Sequence, residues 1–187
     1  MTTETLSRAV PATRDQLFRR VIAVALGALF VAVSAKVDIP LAFSPVPITL
    51  QGLAVVLVGL LLGSRLGAAA LITYLAAGIA GLPVFAWSGT FAFTGGYLLA
   101  FPLGAYVAGA IVTRDSRLAT PLRYPVAALA GMAMIHLGGW SWLAIATHNA
   151  RTAFTLGVAP FILVDLTKAV LAAGVALGMG DRVRRLL

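Results

Sequence analysis

Six apolar runs, at residues 21–35, 46–62, 66–80, 95–112, 125–146 and 158–179, follow one another with only short polar breaks between them. Inside a bilayer every backbone N–H and C=O must be satisfied within the segment, so runs of this kind fold as helices. A helix rises about 1.5 Å per residue and needs about 20 residues to cross about 30 Å of hydrocarbon. The first and third runs are short for that, so their flanks are expected to dip into the interface or the bilayer to thin around them. Of the 187 residues, 60% are hydrophobic and only 11% charged, where a soluble domain has about one-quarter charged. In water such a chain would expose far too much apolar surface. The expected architecture is an all-α integral membrane protein with six transmembrane helices. Residues 1–20 form a leader, 21–180 a single membrane domain and 181–187 a basic tail.

Charge sets the expected orientation. The net charge of +8 is not gathered on one surface but falls in short clusters between the apolar runs. The leader (Arg8, Arg14, Arg19, Arg20), the second-to-third turn (Arg65), the fourth-to-fifth loop (Arg114, Arg117, Arg123) and the tail (Arg182, Arg184, Arg185) hold eleven cations. The alternate loops hold two, Lys36 and Arg151. Lys and Arg concentrate on the cytoplasmic side, so both termini are expected there. A cleaved signal peptide ending near Ala35 would leave an odd number of spans and break this alternation. No zinc spacing, basic helix or aromatic RNA-binding motif accompanies the charge, so nucleic acid is not an expected partner. Cysteine is absent, which removes disulfides, thiol nucleophiles and thiolate metal sites.

Asp165 and Lys168 lie inside the sixth run. A charged side chain at the centre of a span costs about 2.5–3.5 kcal/mol on insertion scales. At i and i+3 the two share one helical face, so they either neutralise each other and nothing more, or line a cavity that recognises a polar molecule. Counted from Val158, Asp165 is about 10 Å from the external end of its span.

Three further segments reach the same end of the bundle. Pro45-Val46-Pro47-Ile48-Thr49-Leu50-Gln51 is expected to open the second span, its prolines occupying a first turn whose N–H groups have no partner. Thr49 either caps its own backbone or, like Gln51, offers a polar group to a site; a lipid-facing Gln51 amide would be expensive. Thr94-Gly95-Gly96-Tyr97 is expected to open the fourth span, where glycine N–H groups at the positive end of a helix suit a carboxylate or carbonyl. Helix packing is the alternative for the glycines. Residues 82–94 are uncharged and aromatic, expected to lie in the interface or fold over a site as a lid. Gly63-Ser64-Arg65 is a tight turn. A small-residue stripe at Ala25, Ala28, Ala32 and Ala35 permits close approach, either of another helix of this chain or of a partner. Ser88 and the mid-span His136 lack the motif of a rhomboid-type protease, and His148 is expected to be solvated or to sit at the rim of a site. No catalytic residue, cofactor or metal site is expected, and no phosphate-binding loop is present, so ATP coupling would need another chain.

Taken together, Pro45-Val46-Pro47-Ile48-Thr49-Leu50-Gln51, Gly81-Leu82-Pro83-Val84-Phe85-Ala86, Thr94-Gly95-Gly96-Tyr97-Leu98-Leu99-Ala100-Phe101 and Gly157-Val158-Ala159-Pro160-Phe161 running into Asp165-Leu166-Thr167-Lys168 resemble, in order and spacing, the BioY family. These are the substrate-binding S components of energy-coupling-factor biotin transporters. The loop 87–93 departs from the family in lacking extra glycines. The resemblance implies a six-helix subunit in a bacterial plasma (inner) membrane that binds biotin from outside. It implies partnership with a transmembrane T component and two ABC-type ATPases, with Ala28 and Ala32 against the T component; homo-oligomerisation is left open. Asp165 would accept from the ureido N–H groups and Lys168 would neutralise it or donate to biotin. Gln51, Thr49, Gly95, Gly96 and Tyr97 would supply further polar contacts, and Phe85, Trp87 and Phe161 would enclose the apolar middle. Which end of biotin meets the charged pair stays open. A different small vitamin, or a structural membrane subunit with a self-paired Asp165 and Lys168, are the other readings.

Overall fold

The computed structural model describes residues 13–114 and 119–187; Arg8 and Arg117, counted above for orientation, lie outside them. Helix α1 (Arg14–Ser34) is followed by a hairpin of β1 (Asp38–Leu41) and β2 (Ser44–Thr49). Then come α2 (Gln51–Ile79), α3 (Phe91–Thr113), α4 (Thr120–Thr147), the short α5 (Ala150–Gly157), a 3-10 turn (Ala159–Phe161) and α6 (Ile162–Arg185). Five stretches are long and apolar enough to cross a membrane: α1, α2, α3, α4, and the unit from Ala150 to Arg185. With Leu17, Phe18, Val21, Leu26 and Leu29 of α1 and Leu163, Val170 and Leu171 of α6 turned outward, the apolar surface faces lipid, and the chain is a multi-pass membrane protein.

Helix α2 is not straight. Gly63 adopts φ 78°, ψ −179°, a conformation essentially confined to glycine. The chain reverses there: Gln51 Nε2 donates to the Tyr74 hydroxyl at 2.7 Å, although 23 residues of straight helix would part them by about 34 Å. A Cβ on Gly67 would lie 3.0 Å from the Gly59 Cα, so the two arms pack backbone against backbone. The expected break at Gly63-Ser64-Arg65 is thus a reversal within α2.

The entry to α2 differs from expectation. Pro45 to Thr49 are extended in β2, paired antiparallel to β1 with Asp38 opposite Thr49 and Ile39 opposite Ile48, and helix begins only at Gln51. Prolines two apart remove donors from one edge of a strand alone, a pattern a hairpin tolerates as well as a first helical turn does. The membrane body is helical as expected, with this hairpin added. The helices also run past the apolar runs: α1 takes in residues 14–20 of the leader and α6 most of the tail. A capping box of Thr13 and Gln16 starts α1.

Two sets of contacts close the two ends of the bundle. At one, Arg20 donates to the Leu187 carbonyl at 2.8 Å, and Arg184 reaches Asp181, the Leu60 carbonyl and, at 2.8 Å, the Tyr124 hydroxyl. The first turns of α1 and the end of α6 therefore lie together. At the other end, Lys36 donates to the Phe85 carbonyl at 2.7 Å and stands 3.9 Å above the Trp87 ring. Ser88 donates to Asp38 there through its backbone N–H at 2.9 Å and through its hydroxyl. The Ser88 hydroxyl foremost, then its N–H, hold the Asp38 carboxyl below the usual carboxylate range.

The small-residue stripe of α1 is divided, with Ala35 buried and Ala25 exposed. Ala28 is buried, Ala32 is partly buried against the core, and a Cβ on the adjacent Gly27 would sit 3.0 Å from Ala70 Cβ. Gly27 thus marks where α1 approaches α2 of the same chain, while the expected contact of Ala28 and Ala32 with a partner stays a proposal.

Candidate functional site

Between the reversed α2, α3, α4 and α6, beneath the hairpin and the 82–90 loop, lies a cavity whose lining joins a few polar side chains to a largely apolar wall, the make-up of a small-ligand site. Its polar end is built on α6. Lys168 Nζ donates to Asp165 Oδ1 at 2.6 Å, and His136 Nε2 from α4 lies 2.8 Å from Asp165 Oδ2. Asp165 and Lys168 are 8% and 7% exposed, so the pair is buried among apolar neighbours yet borders the cavity. A net-neutral buried pair avoids the cost of an isolated charge while leaving carboxylate lone pairs available to a donor.

Seven of the expected residues line this space: Asp165, Lys168, Gln51, Thr49, Tyr97, Phe85 and Phe161. Val46, Pro47, Phe91, Leu98, Phe101, Met132 and Ile135 complete the largely apolar wall. Each polar member is held by a partner. Gln51 gives its amide N–H to Tyr74, leaving its carbonyl oxygen for the cavity. Tyr97 presents its ring and donates its hydroxyl to the Gly157 carbonyl at 2.6 Å. Thr49 Oγ1 accepts from Gln51 N–H at 3.2 Å, capping α2, and still borders the cavity. Phe85 is set edge-to-face on Tyr74 with centroids 5.5 Å apart.

Three expected residues do not line it. Gly95 and Gly96 sit in α3, which starts at Phe91, so the four unpaired N–H groups of the helix start fall mainly before them. Their bare faces instead receive α4: a Cβ on Gly95 would meet the Trp142 ring at 3.0 Å, and one on Gly96 would run into Trp142 and the Gly138 carbonyl. Trp87 is 71% exposed and is engaged by Lys36 at the loop surface rather than by the cavity.

His136 is the cavity-lining residue that the motifs miss. Its signal was present, since an ionisable group near the middle of a span is by default a site candidate. Its partner was not readable, because α4 and α6 meet only in the fold. His148 ends α4 with φ 53°, and its neighbour Asn149 caps α5 by accepting from Thr152 N–H at 3.0 Å.

A family model described as the BioY family matches residues 3–185. A probable biotin transporter BioY of Pyrococcus horikoshii is 42% identical over 159 residues, covering 82% of this chain and 93% of the relative. A biotin transporter BioY of Thermotoga maritima is 37% identical over 164 residues, 85% and 94% of the two chains. Among solved structures, the S-component for biotin from an ECF-type ABC transporter superposes with a TM-score of 0.77 at 25% identity, covering 90% of this chain and 94% of that one.

Proposed function

The chain belongs to the BioY family, and on that premise we propose that it is the S component of a biotin uptake transporter, capturing biotin from the external side in the α2–α3–α4–α6 cavity. The observation that carries this is the buried Asp165–Lys168 pair bordering an apolar-walled space that biotin's neutral rings would fill. Biotin offers two ureido N–H donors and a carbonyl, an apolar thioether ring, and a valerate carboxylate. The ureido end belongs beside Asp165, because a valerate there would set like charges together at low dielectric. Asp165 then accepts a charge-assisted hydrogen bond, and Lys168 keeps the carboxylate neutralised. Gln51, Thr49 and Tyr97 orient the ligand, and Phe85 and Phe161 enclose its middle.

The same proposal covers topology and partners. The two arms of α2 support six crossings of a single membrane domain, and the adjacency of Arg20 and Leu187 supports both termini on one side. The arginine clusters put that side in the cytoplasm of a bacterial inner membrane. Delivery to a T component and two ATPases supplies the energy that this chain has no nucleotide loop to harvest.

Equilibrium binding of labelled biotin to the purified, detergent-solubilised chain tests the proposal, with Asp165→Asn alongside. Tight binding that the variant loses is the expected result. A folded wild-type protein that ignores biotin but binds another vitamin would move the assignment to that ligand.

A further inference from the structure

At the polar end of the cavity most side chains already have a partner within the protein. Lys168 donates to Asp165, Gln51 to Tyr74 and Tyr97 to Gly157. His136 is different: its Nδ1 is buried without a hydrogen-bond partner. Nε2 is 2.8 Å from Asp165 Oδ2, so the carboxylate is its neighbour and Nδ1 is the nitrogen left with none. A buried polar atom left unpaired in a native protein calls for a physical reason.

The surroundings of the ring supply it. The imidazole stands edge-to-face on Tyr97, centroids 6.4 Å apart at 84°, and borders the cavity on one side. On another side it borders a groove lined by Ala133, Leu137, Trp140, Phe154 and Val158. The one side-chain polar group of that groove, the Trp140 indole N–H, is committed to the Ala150 carbonyl at 3.0 Å. The cavity is therefore the side from which a polar partner for the imidazole can approach.

We propose that His136 is a ligand-contacting, specificity-determining residue whose imidazole closes a hydrogen bond to the ureido group when biotin fills the cavity; this rests on the biotin assignment above. A cyclic urea suits the position because it carries donors and an acceptor side by side. One N–H meets Asp165 while the carbonyl accepts from an imidazole N–H, or the second N–H donates to a bare ring nitrogen.

The chain has two histidines, and His148, at the end of α4, does not line the cavity, so it serves as an internal reference. In protein labelled with ¹⁵N-histidine, and assigned with His148→Gln, saturating biotin is expected to move the ring-nitrogen signals of His136 and leave those of His148 in place. His136→Leu is expected to weaken biotin about tenfold, the scale of one hydrogen bond, and His136→Gln, whose amide both donates and accepts, to recover most of it. His136→Leu is also expected to narrow the preference for biotin over 2-iminobiotin, in which the carbonyl oxygen is replaced; a purely structural role would weaken both ligands alike. Unmoved His136 signals in protein that binds biotin tightly overturn the His136 assignment and leave the biotin proposal standing. A folded protein that binds no biotin overturns both.

Discussion

Replacing Lys168 with methionine keeps most of the side-chain volume and removes the cation 2.6 Å from Asp165. The carboxylate, only 8% exposed, would then face His136 alone. Breaking a buried ion pair by deleting one partner costs about 3–5 kcal/mol. At about 2–4 °C per kcal/mol for a chain of this size, Lys168→Met should lower the apparent melting temperature in detergent by about 6–20 °C. The double variant Asp165→Asn/Lys168→Met removes both charges, and replacing a buried pair with neutral groups of similar volume is often close to neutral in stability. It should regain most of the lost stability while biotin binding stays abolished. The double variant also separates lost recognition from the instability that Asp165→Asn brings by leaving Lys168 unpaired. Thermal unfolding and labelled-biotin binding on the same three preparations decide the matter. A single variant as stable as wild type, or a double variant that binds biotin normally, would refute the reasoning.

Other outcomes follow from the packing. Gly96→Ala pushes a methyl into Trp142 and the Gly138 carbonyl and should cost about 1–3 kcal/mol of stability; a loss of biotin affinity at unchanged melting temperature would restore the ligand-binding role of that backbone. Gly63→Ala has room, its Cβ meeting only Thr113 at 3.4 Å, but must hold φ 78°; it should cost about 1–3 kcal/mol of strain, read as a lower melting temperature, and no change would mean the reversal tolerates another geometry. The depressed pKa of Asp38 means that its contact with Ser88 adds stability above the unfolded carboxylate pKa of about 4 and loses it as pH falls through the lower folded value. Trp87 emission should therefore change below about pH 4 in a Trp140→Phe/Trp142→Phe background, and Ser88→Ala should shift that change toward the ordinary carboxylate range; coincident transitions with and without Ser88 would count against the contact.

Much of the site could be read along the chain because its polar members are local anomalies. A carboxylate, an ammonium and an amide inside apolar runs stand out whatever the fold, and Asp165, Lys168 and Gln51 do line the cavity. Other readings turned on where helices begin. Moving the start of α3 back to Phe91 buries the Gly95 and Gly96 N–H groups within the helix, and delaying α2 to Gln51 turns a supposed first turn into a strand. Proline and glycine limit backbone geometry without choosing among the geometries they allow.

Apolar run length and the scatter of arginines suffice for a helical membrane protein, since the bilayer leaves the backbone few alternatives. Which faces meet is a different kind of information. The stripe containing Ala28 and Ala32 is small enough for any neighbour, and packing shows only that Ala28 is taken into the chain's own core. Trp87 looks like a wall of the pocket until Lys36 is found holding it at the loop surface. His136 becomes part of the site only because α4 and α6 bring it to Asp165. Burial preference is a property of each residue and survives in one dimension; pairing depends on side chains far apart in the chain competing for the same space, and is settled only when the helices pack.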